Sequence, residues 1–182
     1  LQPYAVGQKG SGFAQPLHAS LELFQPYSLD GLPSLASILE SKGRFALSRW
    51  RESGGFEMYP DYVEGTHFVM GWCGQAEALG YALLVLRDLM PDAVKKAVAA
   101  LDLLSESPFN ERGFHNRYTV ETKAWTEQDF VSQGQAMESI TRAIELGRKQ
   151  KLATTKWEQF MRKAADFHAK RILDPAWRPL ST

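Results

Sequence analysis

The sequence predicts an all-α fold of antiparallel helical hairpins, repeated about three times within a single domain of residues 1–182. Two observations predict it. Apolar residues recur three and four positions apart over long stretches, which is typical of amphipathic helices. The glutamines Gln15, Gln75 and Gln135 are also evenly spaced, at a period of about sixty residues. Each opens an apolar stretch, so the period indicates stacked units of two helices.

The middle pair of helices is predicted over residues 74–90 and 92–104. Leu79, Leu83 and Leu86 lie at helical spacing in the first of these stretches. Pro91 ends that helix because proline cannot continue it, and Asp92 suits the N-cap of the next. The two helices are nearly contiguous, so we expect them to pack as an antiparallel hairpin.

A second pair is predicted over residues 129–146 and 155–173. Gly147 is a suitable C-terminal stop for the first helix, and Thr154 or Thr155 can cap the second. Asp174-Pro175 then ends the pattern, because the residue before a proline disfavours the helical conformation.

The first third of the chain gives weaker signals. Short helices are predicted over residues 15–24 and 32–40, with Pro33 in a first-turn position of the second. Residues 45–51 fit either a helix or a strand that runs into Gly54-Gly55, and we favour the helix.

Two long connections, residues 52–73 and 105–128, each precede the first helix of a pair. We therefore expect both at one end of the hairpin array, above the N-termini of the inner helices. Long connections inside a compact domain are usually functional when they are ordered. The candidate site is predicted there.

Composition excludes several classes of protein. Lysine plus arginine equals aspartate plus glutamate at 21 each, which disfavours nucleic-acid and anionic-membrane partners. No apolar run approaches the roughly 20 residues of a membrane span. No HExxH or CxxC spacing indicates a metal, and no phosphate-loop or GxSxG motif is present, so we expect no metal and no cofactor. Cys73 is the single cysteine, interpreted as a small buried residue.

The order Ser53-Gly54-Gly55-Phe56, an acidic loop, Trp72-Cys73-Gly74-Gln75 and an apolar helix resembles the six-hairpin (α/α)6 toroid proteins. These are glycosidases, polysaccharide lyases and sugar epimerases. The resemblance implies a toroid-like array with a sugar cleft over the inner-helix N-termini. Three hairpins are half of the usual six, which implies a fragment, self-association or pairing with a missing half.

Carbohydrate chemistry suits the residues of the two connections. Sugars stack their apolar faces on aromatic rings and present hydroxyls to planar polar groups. Candidate sugar-binding residues are His67, Trp72, Gln75, His115, Arg117, Tyr118, Trp125 and Gln135. Glycoside hydrolysis also needs two carboxyl groups across the bond, and the candidates are Asp61, Glu64, Glu121 and Asp129.

Two of these acids have predicted roles. Glu64 lies between Val63 and Gly65, where desolvation would raise the pKa of a general acid. Asp129 would be the base, kept ionised by its helix N-terminus.

Plainer interpretations stand beside these. Trp72 and Trp125 could instead anchor the core. Asp129 could be an ordinary N-cap, and Gln75 and Gln135 could hydrogen-bond loop backbone groups. The alternative functions are a non-catalytic helical-repeat module that binds a ligand or partner, a polysaccharide lyase, and an epimerase. In an epimerase, His67 and His115 would be the bases.

Overall fold

The computed structural model describes residues 18–20, 22, 30–58, 60, 64–72 and 75–176. The chain divides into two compact units, Leu1–Ser34 and Leu35–Thr182. Residues 18–20 and 22 of the first unit are helical, and the rest of the helix predicted over residues 15–24 lies outside the described part. The helices with defined bounds are in the second unit: α1 (Leu35–Ser48), α2 (Ala76–Val85), α3 (Ala93–Leu104), α4 (Phe130–Lys149) and α5 (Thr155–Leu173).

The prediction of an all-α fold is wrong, because the second unit also contains short antiparallel sheets. The strands are β1 (Trp50–Arg51), β2 (Gly55–Phe56), β3 (His67–Val69), β4 (Phe109–Asn110), β5 (Gly113–Phe114), β6 (Arg117–Thr119) and β7 (Ala124–Thr126). β1 pairs with β2, β4 pairs with β5, and the third sheet has the order β3-β6-β7. The all-α toroid that the resemblance implied is therefore wrong as well.

Two of the predicted helices match the structure closely, while the start of the chain matches less well. Residues 93–104 and 155–173 are helical, as α3 and α5. The predicted helix over residues 45–51 is only partly right. It holds to Ser48, and then Trp50 and Arg51 form β1.

The repeating unit is larger than a helical hairpin. A helix is followed by a β-hairpin, then by one or two strands, and then by the next helix. This order occurs from α1 to α2 and again from α3 to α4. The two β-hairpins even carry matching aromatic pairs, Trp50 across from Phe56 and Phe109 across from Phe114.

The glutamine period does not mark equivalent helix starts. Gln75 immediately precedes α2, but Gln135 lies inside α4, which begins at Phe130. Gln15 lies outside the described residues. The repeat therefore exists at the level of elements, and the exact spacing of the glutamines is not its basis.

The core of the second unit lies between the helices and the β-hairpins. α2 packs against α3 and α4, and α4 packs against α5. Phe56 and Phe114, one from each β-hairpin, are fully buried, as is Phe68 of β3. Burial of one such ring contributes about 2–3 kcal/mol. The β-hairpins thus fix the ends of the helices that carry the candidate site.

No helix among the described residues is long and apolar enough to cross a membrane.

Candidate functional site

The two long connections meet in the β3-β6-β7 sheet. His67 is paired with Thr119, Phe68 with Tyr118, and Val69 with Arg117. Residues that are about fifty positions apart in the sequence therefore share one small sheet, and the segments that follow it lead directly into α2 and α4.

The sheet has an apolar face and a polar face. Phe68, Tyr118 and Trp125 lie in register across the three strands on the apolar face. Phe68 stacks on Tyr118 with ring centroids 6.1 Å apart, and Tyr118 contacts Trp125 at 5.2 Å. Phe68 is fully buried, and the rings of Tyr118 and Trp125 pack against the core. Tyr118 and Trp125 therefore anchor the sheet to the core.

The segment from the sheet to α2 has an unusual backbone. The φ values are 68° at Gly71, 35° at Trp72 and 36° at Gln75. They lie in the left-handed region that residues other than glycine rarely adopt. At Gly71 a Cβ atom would overlap the backbone carbonyl of Ser132 in the first turn of α4. At Trp72 and Gln75, which are not glycine, such strain costs on the order of 1–3 kcal/mol per residue, and strain of this kind clusters at functional sites.

Two hydrogen bonds, one to α4 and one within the segment, hold it in place. The backbone N–H of Trp72 donates to Oε1 of Gln135 at 2.5 Å. The backbone N–H of Gln75 donates to the carbonyl of Gly71 at 3.1 Å. The predicted site residues Trp72, Gln75 and Gln135 are thus brought together where α2 and α4 begin.

The side chain of Trp72 is 65% exposed, whereas Trp50, Trp125 and Trp157 are half-buried or buried. Val131 is 64% exposed and lies one helical turn before Gln135 on α4. A large aromatic ring held by a fixed backbone and turned to solvent is therefore the distinctive surface feature of this region.

Beneath this segment lies an acid that the sequence interpretation missed. Glu77, in the first turn of α2, is 1% exposed, and both of its carboxyl oxygens lie 3.2 Å from the backbone N–H of Gly71, which donates to them. Burial raises the pKa of Glu77 to about 7, against the opposing effect of the backbone N–H groups of Glu77 and Gly71.

A sequence signal for Glu77 did exist. Glu77, Gly80 and Leu84 are spaced three and four apart and form part of the buried face of α2. α2 is apolar nearly all round, however, so the apolar periodicity did not single out this face.

The start of α4 is regular. Asp129 is the N-cap: its carboxylate accepts the backbone N–H of Ser132 at 2.8 Å and also the Ser132 hydroxyl. Partial burial raises the pKa of Asp129, but hydrogen bonds from the Ser132 hydroxyl and from the backbone N–H groups of Ser132 and Val131 outweigh it, so the pKa lies below its ordinary value. The buried Asn116 accepts the backbone N–H of Asp129 at 2.9 Å.

A second group of predicted residues lies at the far end of β3. Oε1 of Glu121 accepts the backbone N–H of Thr66 at 2.8 Å, and the backbone N–H groups of Glu121 and Thr66 lower the pKa of this exposed acid. Nε2 of His67 donates to the carbonyl of Glu64 at 2.6 Å. Glu64 is exposed, so its carboxyl is not in the apolar surroundings expected for a general acid.

The remaining candidates are dispersed. Arg117 forms an ion pair with Glu127 at 2.7 Å, and His115 is half-buried. Asp61 and Cys73 lie outside the described residues. Within the part of the chain that the structure describes, no three acidic, histidine or cysteine side chains are grouped as metal ligands.

Comparisons with known proteins do not assign this arrangement. No protein-family model, curated protein or solved structure matches the chain. The candidate site is therefore defined by its geometry, with Trp72 on the surface and Glu77 below it.

Proposed function

We propose that this protein is carbohydrate-active and binds a saccharide on the surface around Trp72, where α2 and α4 begin. The observation that carries the proposal is the 65% exposed indole ring on a backbone that is strained and anchored to α4. A preorganised ring loses little conformational entropy on binding, so stacking of a sugar ring on it is efficient.

The polar groups beside Trp72 suit the same ligand. Gln75 and Gln135 are exposed amides, and the Oε1 atom of Gln135 is already fixed by Trp72. The Nε2 group of Gln135 carries two further N–H donors in a defined orientation. Neutral amides next to an aromatic ring fit an uncharged polyhydroxylated ligand better than they fit an ionic one.

The test is a titration of a panel of neutral oligosaccharides with wild type and Trp72→Ala, by calorimetry. We expect Kd to rise about tenfold in the variant, since the contribution of one stacked ring is near 1.4 kcal/mol. Phe45→Ala is the matched control, because Phe45 is an exposed aromatic residue on α1. No binding to wild type, or equal loss in both variants, would refute the proposal.

Hydrolysis of the bound saccharide is the second candidate function. It is favoured by Glu121, whose carboxylate accepts the backbone N–H of Thr66 at the far end of β3, and by the exposed Glu64, which lies two residues before Thr66 in the same loop. Glycoside hydrolysis requires two carboxyl groups that flank the scissile bond. Release of reducing ends by wild type, Glu64→Gln and Glu121→Gln tests it, and unchanged turnover in both variants would remove these acids from the reaction.

A further inference from the structure

We infer that Glu77 is a positioning residue: ionisation of its carboxyl fixes the Gly71-Trp72 backbone and so controls ligand binding at Trp72. The part that concerns the ligand rests on the proposed function. The part that concerns the conformation of Trp72 rests on the geometry alone.

The geometry gives Glu77 this control. Its two carboxyl oxygens share the backbone N–H of Gly71, the residue immediately before Trp72. A carboxylate accepts this N–H through either oxygen with the strength of a charge-assisted hydrogen bond. The neutral acid accepts more weakly, and its O–H group needs an acceptor that the Gly71 N–H cannot provide.

The Gly71-Trp72 backbone is poised to respond to that change. The left-handed φ of Trp72 persists only where surrounding contacts hold it, whereas Gly71 adopts its positive φ without strain. The contacts are the hydrogen bonds to Glu77 and Gln135 and the one from Gln75. Weakening the first of them releases part of the strain and frees the ring of Trp72.

The pKa of Glu77 is set without help from a neighbouring charged side chain. Its pKa of about 7 has burial as the largest cause, and no charged side chain is among the causes. Several charged groups on and beside the packed helices have other partners. These are Asp129 with Ser132, Arg142 with Glu138, Asp102 with Trp157, Lys96 over the Trp50 ring, and Arg44 with Glu40.

The expected behaviour has a definite sign. Above pH 7 the carboxylate holds the backbone, and below pH 7 the neutral acid releases it. If the released form does not bind, the affinity for saccharide at pH 8 exceeds that at pH 6 by about tenfold, from the ionised fractions of a group with this pKa.

The experiment is fluorine NMR of the protein labelled with 5-fluorotryptophan, without any saccharide. The Trp72 resonance is identified by its loss in Trp72→Phe. In wild type we expect it to titrate with a midpoint near pH 7, and in Glu77→Gln we expect it to be flat. Glu77→Asp keeps an ionisable group and should restore a titration.

His67→Gln is the matched control, because it removes the imidazole at the start of β3 and leaves Glu77 in place, so the Trp72 titration should persist in it. A flat Trp72 resonance in wild type, or a titration that persists in Glu77→Gln, would overturn the inference. If the resonance titrates as expected but no oligosaccharide binds, the proposed function fails and the control by Glu77 stands.

Discussion

The starts of α2 and α4 lie side by side and are built in opposite ways. α4 begins with Asp129, an extended residue whose carboxylate caps the first turn. α2 begins with Gln75, a left-handed residue without a side-chain cap, and buries the acid Glu77 in its first turn. One start satisfies the rules of helix capping, and the other has no side-chain cap and holds Trp72 and Gln75 in the left-handed region.

Under the proposed function, the contrast separates a part of the fold that adds stability from the part that binds the ligand. Locally consistent structure adds stability, whereas strain and buried titratable groups persist where function selects them. The exposed ring of Trp72 lies at the strained start, while the regular start of α4 supplies Gln135 as a support for it. The following variants test this division of roles.

Gly71→Ala should have the largest effect. The Cβ atom would overlap the carbonyl of Ser132, and φ is 68°, so we expect a loss of about 3–5 kcal/mol in the free energy of unfolding. Gly134→Ala in α4 is the control: no atom lies near its Cβ position, and it should gain about 1 kcal/mol. Urea denaturation measures both, and similar effects at the two glycines would contradict the contrast.

Glu77→Gln should change how stability depends on pH. The pKa of Glu77 is 4.5 in the unfolded chain and about 7 in the folded one, so the native state binds more protons between these values. Stability therefore falls as pH rises through this window, by about 3 kcal/mol from this group. Glutamine does not ionise, so the free energy of unfolding of the variant should rise relative to that of wild type between pH 4.5 and 8, as measured by urea denaturation. Parallel pH profiles of the two proteins would refute the raised pKa of Glu77.

Asp129→Ala should cost less. Loss of an N-cap typically destabilises by about 1 kcal/mol, and the backbone N–H of Ser132 loses its acceptor. Asp129→Asn serves as the control, because asparagine caps helices nearly as well. Thermal unfolding of both variants measures the effect, and equal stability of Asp129→Ala and wild type would show that the cap contributes nothing.

Gln75→Gly should have the smallest effect and the opposite sign. Glycine adopts the left-handed conformation without penalty, so relief of the strain at φ 36° should stabilise the protein by about 0.5 kcal/mol, after the entropic cost of glycine. Gln75→Ala keeps the strain and removes the amide, so it should show no gain. A gain in both would assign the effect to the side chain.

The sequence predicted some of these features and not others. α3 and α5 were predicted closely because their apolar periodicity is strong, although neither Asp92 nor Thr154 makes a side-chain cap hydrogen bond. Strands of two or three residues were missed because a pattern with period two needs a longer run to be recognised. Glu77 was missed because α2 is apolar on nearly every side, so its buried face is defined by tertiary packing.

The site residues show the same limit. The meeting of the two connections followed from the chain order, since both lead into inner helices and β3 pairs with β6, but the predicted residues on them lie in separate groups. The desolvation expected for Glu64 was inferred from Val63 and Gly65, its sequence neighbours, yet Glu64 is exposed. Burial of a loop side chain depends on what lies across from it, which a single sequence does not show.

The pairing of β3 with β6 has a consequence for the order of folding. His67 and Thr119, which pair across these strands, are 52 residues apart in the chain. Bringing them together carries a large loop-closure entropy, unless the α2-α3 hairpin forms first and shortens the effective loop. We therefore expect the helical hairpin in the folding nucleus and the sheet late. By the same reasoning, amide hydrogens of the sheet should exchange through partial opening, at a lower free energy than those of α3.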